Sequence, residues 1–186
     1  MQPIMTEQYA IATSDDYARI AQIYNEHIES NLTTMVERYY TAADIKNWVD
    51  QFNDREQLYV VSIDGQLIGW GIVKRYSDRA GYRYAAETSV FLAEQATGKG
   101  IGTRFKQYII NQCRAMNYHH LVAKIFNSNR RSIAYNLALG YEIVGVQKEV
   151  GFKNGQWEDI CIMRGEYNPY LQKKESLRSM LRSLMR

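Results

Sequence analysis

The segment Thr97-Gly98-Lys99-Gly100-Ile101-Gly102-Thr103 sets three glycines at alternate positions, between an apolar stretch and an amphipathic one. Glycine adopts positive backbone angles without a Cβ clash, so such a run suits a tight passage from a strand into a helix. The first turn of a helix leaves N–H groups unpartnered at its positive end, and a phosphate group suits that place. The spacing is neither GxxxxGK followed by Ser or Thr nor GxGxxG, so neither a P-loop nor a dinucleotide turn matches. Glycine richness alone leaves a purely structural turn equally open.

Patterns on either side predict a mixed α/β order with an antiparallel bias. A strand is predicted from Gln8 to Thr13. Ser14-Asp15-Asp16 then caps a helix reaching about Glu29, whose Ala18, Ile20, Ala21, Ile23, Tyr24 and Ile28 form one face. Thr41 with Asp44 has the form of a capping box and opens a second helix carrying Ile45, Trp48, Val49 and Phe52. Asp64-Gly65 joins strands 58–63 and 66–75, and Asn154-Gly155 joins strands 141–152 and 156–164; both dipeptides suit tight hairpin turns. A strand from Tyr82 to Leu92 leads into the glycine loop, and helix three follows to about Met116. Leu121 to Ile125 reads as a strand, and Arg130 to Leu139 as a helix stopped by Gly140.

Gly165 to Pro169 breaks the pattern, dividing a body of residues 1–164 from an extension of residues 165–186. In the extension Leu177, Met180, Leu181, Leu184 and Met185 share one helical stripe, with Lys173, Lys174, Arg178, Arg182 and Arg186 elsewhere. Docking on the same domain or on a dimer mate is the first expectation for this helix, and a membrane-surface role the second.

The 186 residues suit one domain, and 46% hydrophobic with 23% charged residues excludes a disordered or fibrous chain. Without a long apolar run or a basic-then-apolar leader, the expectation is a cytoplasmic chain. Net charge is +3, and five basic residues fall in the last fourteen positions, so the body is near neutral and nucleic acid is not an expected partner. Cys113 and Cys161 lie far apart without metal-ligand spacing, and no metal is expected.

Several spaced segments, taken in order, carry a resemblance. They are Ile23-Tyr24-Asn25-Glu26-His27-Ile28-Glu29, Arg79-Ala80-Gly81-Tyr82, Glu87-Thr88-Ser89-Val90-Phe91-Leu92, the glycine loop, Asn129-Arg130-Arg131-Ser132 and Leu139-Gly140-Tyr141. The most specific is Gly151-Phe152-Lys153-Asn154-Gly155-Gln156-Trp157-Glu158-Asp159, which is similar to a GFKxGxWxD ending. Together they resemble the GNAT acetyltransferase superfamily over residues 8–164, and within it the phosphinothricin or methionine sulfoximine N-acetyltransferase family.

The resemblance implies a mostly antiparallel twisted sheet of six or seven strands with about four helices. It also implies acetyl-coenzyme A as cofactor, a small-molecule amine as substrate and a homodimer. Gly98, Gly100 and Gly102, with Thr97, Lys99, Ile101 and Thr103 in the same loop, would wrap the pyrophosphate. A splayed strand at Phe91 and Leu92 would pair with the pantetheine arm, with Asn129 and Ser132 on the other side; for Asn129 a helix cap is the alternative.

Glu87 falls where the family carries its catalytic glutamate. An alkylammonium must lose a proton before it attacks a thioester, so a general base is needed there. An oxyanion donor is expected near Leu92. Met35, Arg79 and Tyr82 fall at the acceptor pocket, where a guanidinium could grip a carboxylate. Asn136 stands where the family has tyrosine or histidine, Thr97 where Gln or Arg is usual, Glu94 where proline is common, and Met35 where an aromatic residue is common. A polyamine, an aminoglycoside or a protein N-terminus are alternative acceptors, and a non-catalytic acyl-coenzyme A sensor is the rival class.

Overall fold

The computed structural model describes residues 6–166. Seven strands form one sheet in the order β1-β2-β3-β4-β5-β7-β6, antiparallel throughout except for the β4–β5 pair. They are β1 (Glu7–Ile11), β2 (Gln57–Ile63), β3 (Gln66–Arg75), β4 (Ala85–Leu92), β5 (His120–Phe126), β6 (Glu142–Lys153) and β7 (Gln156–Glu166). The helices are α1 (Tyr17–Glu29), α2 (Ala42–Val49), α3 (Ile101–Ala115) and α4 (Arg130–Ala138).

Strand alternation sorts the core onto the two faces of the sheet. On one face Val61, Val73, Ala86, Leu121 and Ala123 pack with Phe105, Ile109 and Ile110 of α3. On the other, Val60, Trp70, Ile72 and Phe91 pack with Ile20, Ile23, Tyr24 and Ile45 of α1 and α2. Glycines let β3 lie close under α3, for a Cβ on Gly71 would collide with Ile109 and the Ser89 carbonyl.

Both hairpin turns form as the dipeptides require, with positive φ at Asp64 (50°) and Gly65 (79°) and at Asn154 (48°) and Gly155 (78°). The Thr41–Asp44 capping box is present, and Gly140 (φ 85°) ends α4.

Four expectations need correction. Ser14–Asp16 is a 3₁₀ turn capped by Thr13, and α1 starts only at Tyr17. Ala18 is exposed, because the buried stripe of α1 begins at Ile20. Tyr82 is not in a strand: N–H groups of Tyr82 and Arg83 bond back to the carbonyls of Arg79 and Ala80, closing a 3₁₀ turn, and β4 begins at Ala85. Gly165 is no hinge, since β7 carries it in register with Leu121 and continues to Glu166. The remainder of the expected hinge and the tail helix lie outside the described residues. No described helix is long and apolar enough to cross a membrane.

Candidate active site

β4 and β5 pair only over Ala85–His120, Ala86–Leu121 and Glu87–Val122. Beyond that, β4 stays on β3 to Leu92, while β5 follows β7 to Phe126, so the sheet opens into a V whose apex is at Glu87. The Ala93 N–H donates to the Ile68 carbonyl (2.8 Å) and the Tyr76 N–H to the Ala85 carbonyl (3.2 Å), which fixes odd-numbered residues of β4 toward β3. The Thr88 N–H closes the last β4–β5 rung, and the Thr88 carbonyl with the N–H and C=O groups of Val90 and Leu92 turns into the opening.

Two side chains hold the open edge from opposite faces. From α3, the buried Lys106 ammonium donates to the Thr88 carbonyl (3.1 Å) and hydroxyl (2.6 Å) and lies 5.3 Å from the centre of the Tyr141 ring. From α1, His27 Nε2 lies 2.8 Å from the Leu92 carbonyl. A carbonyl only accepts, so Nε2 carries the proton; Nδ1 lies 3.0 Å from Thr33 Oγ1, a hydroxyl that also reaches the His27 carbonyl (3.2 Å). Burial pushes the His27 pKa down, which favours this neutral tautomer. These two bonds leave the amides at Val90 as the complete donor–acceptor pair facing the gap.

At the wide end of the V the glycine loop passes into α3. Gly98 (φ 79°) and Gly100 (φ 74°) are left-handed, and Gly100 is the N-cap residue with no side-chain cap bond, so the first-turn amides of α3 have no side-chain cap. Gly98, Lys99, Gly100 and Thr103 are exposed, Thr97 and Gly102 half-buried, and Ile101 buried as an anchor. The Arg131 guanidinium passes 3.8 Å from where a Gly98 Cβ would stand, bringing positive charge over the loop. Arg104 also lies at the loop, its Nη2 donating to the Lys99 carbonyl (3.3 Å) while Nε stands 3.1 Å from both Glu7 oxygens.

At the apex, Glu87 and Lys124 project to the α1/α2 face and meet at 2.7 Å across the diverging strands. Their side chains are 32% and 48% exposed. Lys74 of β3 stands directly opposite Glu87 in the register.

The other expected residues are distributed unevenly. Asn129 is the N-cap of α4: Oδ1 accepts from the Ser132 N–H (3.0 Å) and Nδ2 donates to the Leu32 carbonyl (3.2 Å). The cap alternative thus describes its present bonds, which leave one Nδ2 hydrogen and one Oδ1 lone pair unused by them. Asn136 is buried, its Nδ2 donating to the Ser132 carbonyl (2.8 Å). Met35 packs against Gly151 of β6, where any Cβ would collide with its thioether. Arg79 lines a basic depression with Arg55, Arg75 and Arg83, and Tyr82 rests on Tyr76; Glu87 does not line that depression.

Lys106, Lys124, His27 and Arg131 are residues that sequence reasoning did not single out as site residues. The signal for Lys124 was available, because it interrupts the apolar run of β5 on one face. Lys153 explains the Gly151–Asp159 segment: its buried ammonium donates to the Thr34 carbonyl (2.7 Å), while the Asn154 N–H donates to Glu37 (3.0 Å). That segment ties the β6–β7 turn to the α1–α2 loop bearing Met35.

The described fold has known relatives. The model of the acetyltransferase (GNAT) domain matches residues 10–162. An L-methionine sulfoximine/L-methionine sulfone acetyltransferase of Pseudomonas aeruginosa is 30% identical over 83% of this chain and 91% of its own. Among solved structures, a phosphinothricin acetyltransferase of Sinorhizobium meliloti, in complex with AcCoA, superposes with a TM-score of 0.83 at 28% identity, covering 88% of this chain and 90% of its own. A ribosomal-protein-alanine N-acetyltransferase of Brucella melitensis gives 0.83 at 30% identity, covering 86% and 99%. The matched span exceeds half of the chain and contains both the V and the glycine loop: this chain belongs to the GNAT acetyltransferase family.

Proposed function

We propose that the chain acetylates the amino group of an amino acid analogue, with acetyl-coenzyme A as acyl donor and Glu87 as general base. The observation that carries this reading is the placement of a carboxylate at the closed end of the V and an uncapped, glycine-lined helix N-terminus at its open end, joined by one strand.

The loop amides at Gly98 and Gly100 and the first-turn amide of Gly102, within Thr97–Thr103, suit the diphosphate, with Arg131 adding charge from α4. The Val90 amides and the Phe91 and Leu92 segment suit the arm, because β4 there has β3 on one side and no strand on the other. When bound, the cofactor supplies an acyl group activated as a thioester. Glu87 takes the proton of the acceptor ammonium, freeing the lone pair.

An oxyanion donor must reach the same carbonyl that this amine attacks. Leu92 lies five residues from Glu87, about 16 Å along a strand at about 3.3 Å per residue, so the N–H of Val90 fits the role better than that of Leu92. Asn136 has no transferable proton, and a thiol with a pKa of about 8.5 is a tolerable leaving group as its thiolate. Met35, Arg79 and Tyr82 remain the proposed acceptor contacts, and the names of the Pseudomonas and Sinorhizobium relatives support methionine sulfone or phosphinothricin as acceptors.

A homodimer is part of the reading, supported by the exposed apolar side chains of β6. Thiol release from acetyl-coenzyme A is measured with methionine sulfone, phosphinothricin, spermidine, an aminoglycoside and an alanine-terminated peptide. Turnover is expected with the amino acid analogues, and Glu87→Gln should lower kcat by about 10²-fold or more. Full activity in that variant would remove Glu87 from the mechanism. Cofactor binding without turnover of any amine would favour a sensor.

A further inference from the structure

The Glu87–Lys124 contact raises a chemical question that the reaction itself does not answer. If Glu87 deprotonates an ammonium at the closed end of the V, one ammonium already touches it. Lys124 lies two residues beyond the last β4–β5 pair, on the wall of the V facing β4, and its Nζ reaches across to Glu87 Oε2 at 2.7 Å. It is about half exposed and belongs to neither core cluster, so the side chain is free to turn. An arm bound as proposed above would run from the glycine loop down β4 toward this contact.

We propose that Lys124 is a self-acetylation site. The inference rests on the reading of Glu87 and the V as the acetyl-transfer site. Glu87 accepts one proton from the Lys124 ammonium and releases it to solvent; the Nζ lone pair forms a C–N bond to the thioester carbonyl carbon; the C–S bond breaks with its electron pair on sulfur, and the second Nζ proton passes to that thiolate. The products are N-acetyl-lysine and coenzyme A, with no oxidant or reductant required. The amide carries no charge, so the modification removes the cation held against Glu87 and leaves that carboxylate to an external amine.

The protein is incubated with acetyl-coenzyme A without any acceptor and followed by intact mass and peptide mapping, alongside Glu87→Gln, Lys124→Arg and a sample with excess coenzyme A. The expected result is one acetyl group at Lys124, absent in Lys124→Arg and formed about 10²-fold more slowly in Glu87→Gln. Excess coenzyme A should protect Lys124 and leave any labelling of the exposed Lys46 and Lys148 unchanged. This protection is read on the wild-type protein, so the test survives a variant that does not fold. A wild-type protein that binds acetyl-coenzyme A by calorimetry yet shows no acetyl group at Lys124 overturns the inference and leaves the proposed function standing. Acetylation at Lys124 that ignores both Glu87→Gln and coenzyme A is unassisted chemistry and also overturns it. Absence of cofactor binding overturns both.

Discussion

The Lys106 ammonium gives up its water for the Thr88 carbonyl, the Thr88 hydroxyl and the face of Tyr141, and this desolvation brings its pKa from 10.5 down to about 8. Glu87 on β4 and Cys113 on the same helix are the charged or titratable groups that act on it in the opposite sense, and the Cys113 thiol, pushed up by burial to about 12, stays neutral through this range. Since the folded value lies below the unfolded one, the unfolded chain binds more protons between about pH 8 and 10.5. Lys106 therefore contributes stability that is present above the unfolded value and lost as the pH falls through about 8. Relative to Lys106→Met, the wild-type melting temperature should rise from pH 7.5 to pH 10; parallel curves would show that the ammonium is not desolvated. In the sequence Lys106 sits beside Phe105 at the margin of an apolar stripe, so its direction was legible and its depth was not. Burial here depends on the missing β4–β5 pairing, which no helical period encodes. Glu87 was legible only through the resemblance, because a lone strand glutamate is otherwise an ordinary exposed residue.

Two glycines with like backbone angles separate conformational strain from ligand contact. Gly100 (φ 74°) opens α3 in the proposed diphosphate loop, and Gly140 (φ 85°) closes α4 away from it. Valine in either place is forced into the left-handed region at a cost of order 1–3 kcal/mol. Gly100→Val should therefore lower both the melting temperature and the affinity for acetyl-coenzyme A, the latter by about 10-fold or more, whereas Gly140→Val should lower only the melting temperature. Calorimetry on the two variants decides: equal loss of affinity would assign the effect to general destabilisation. The strand and helix periods located nearly all of these elements, and the turn dipeptides located both hairpins. They failed at Tyr82, where local backbone bonds close a turn; at Asn129 the cap was already the open alternative.

β6 is a twelve-residue edge strand, and almost all of its length is exposed. It presents Ile143, Val144, Val146, Val150 and Phe152 to solvent, with Trp157 of β7 stacked edge-on against Phe152. Long apolar edges invite pairing with another chain, and natural sheets cover or charge them. The alternating pattern announced a strand, but a sequence cannot tell which apolar side chains its own fold will leave uncovered; that follows from β6 being last in the sheet order. A second copy of the chain covering this surface would also bear on the site, because the β6–β7 turn holds the α1–α2 loop through Lys153 and Asn154. Val144→Glu, 62% exposed and on the outermost strand, should convert a dimer to a monomer in sedimentation velocity while leaving the monomer folded by circular dichroism. If that monomer also shows a raised KM for the amine with unchanged affinity for acetyl-coenzyme A, the edge strand supports the acceptor side alone. A wild type that already sediments as a monomer would remove the dimer from the proposed function.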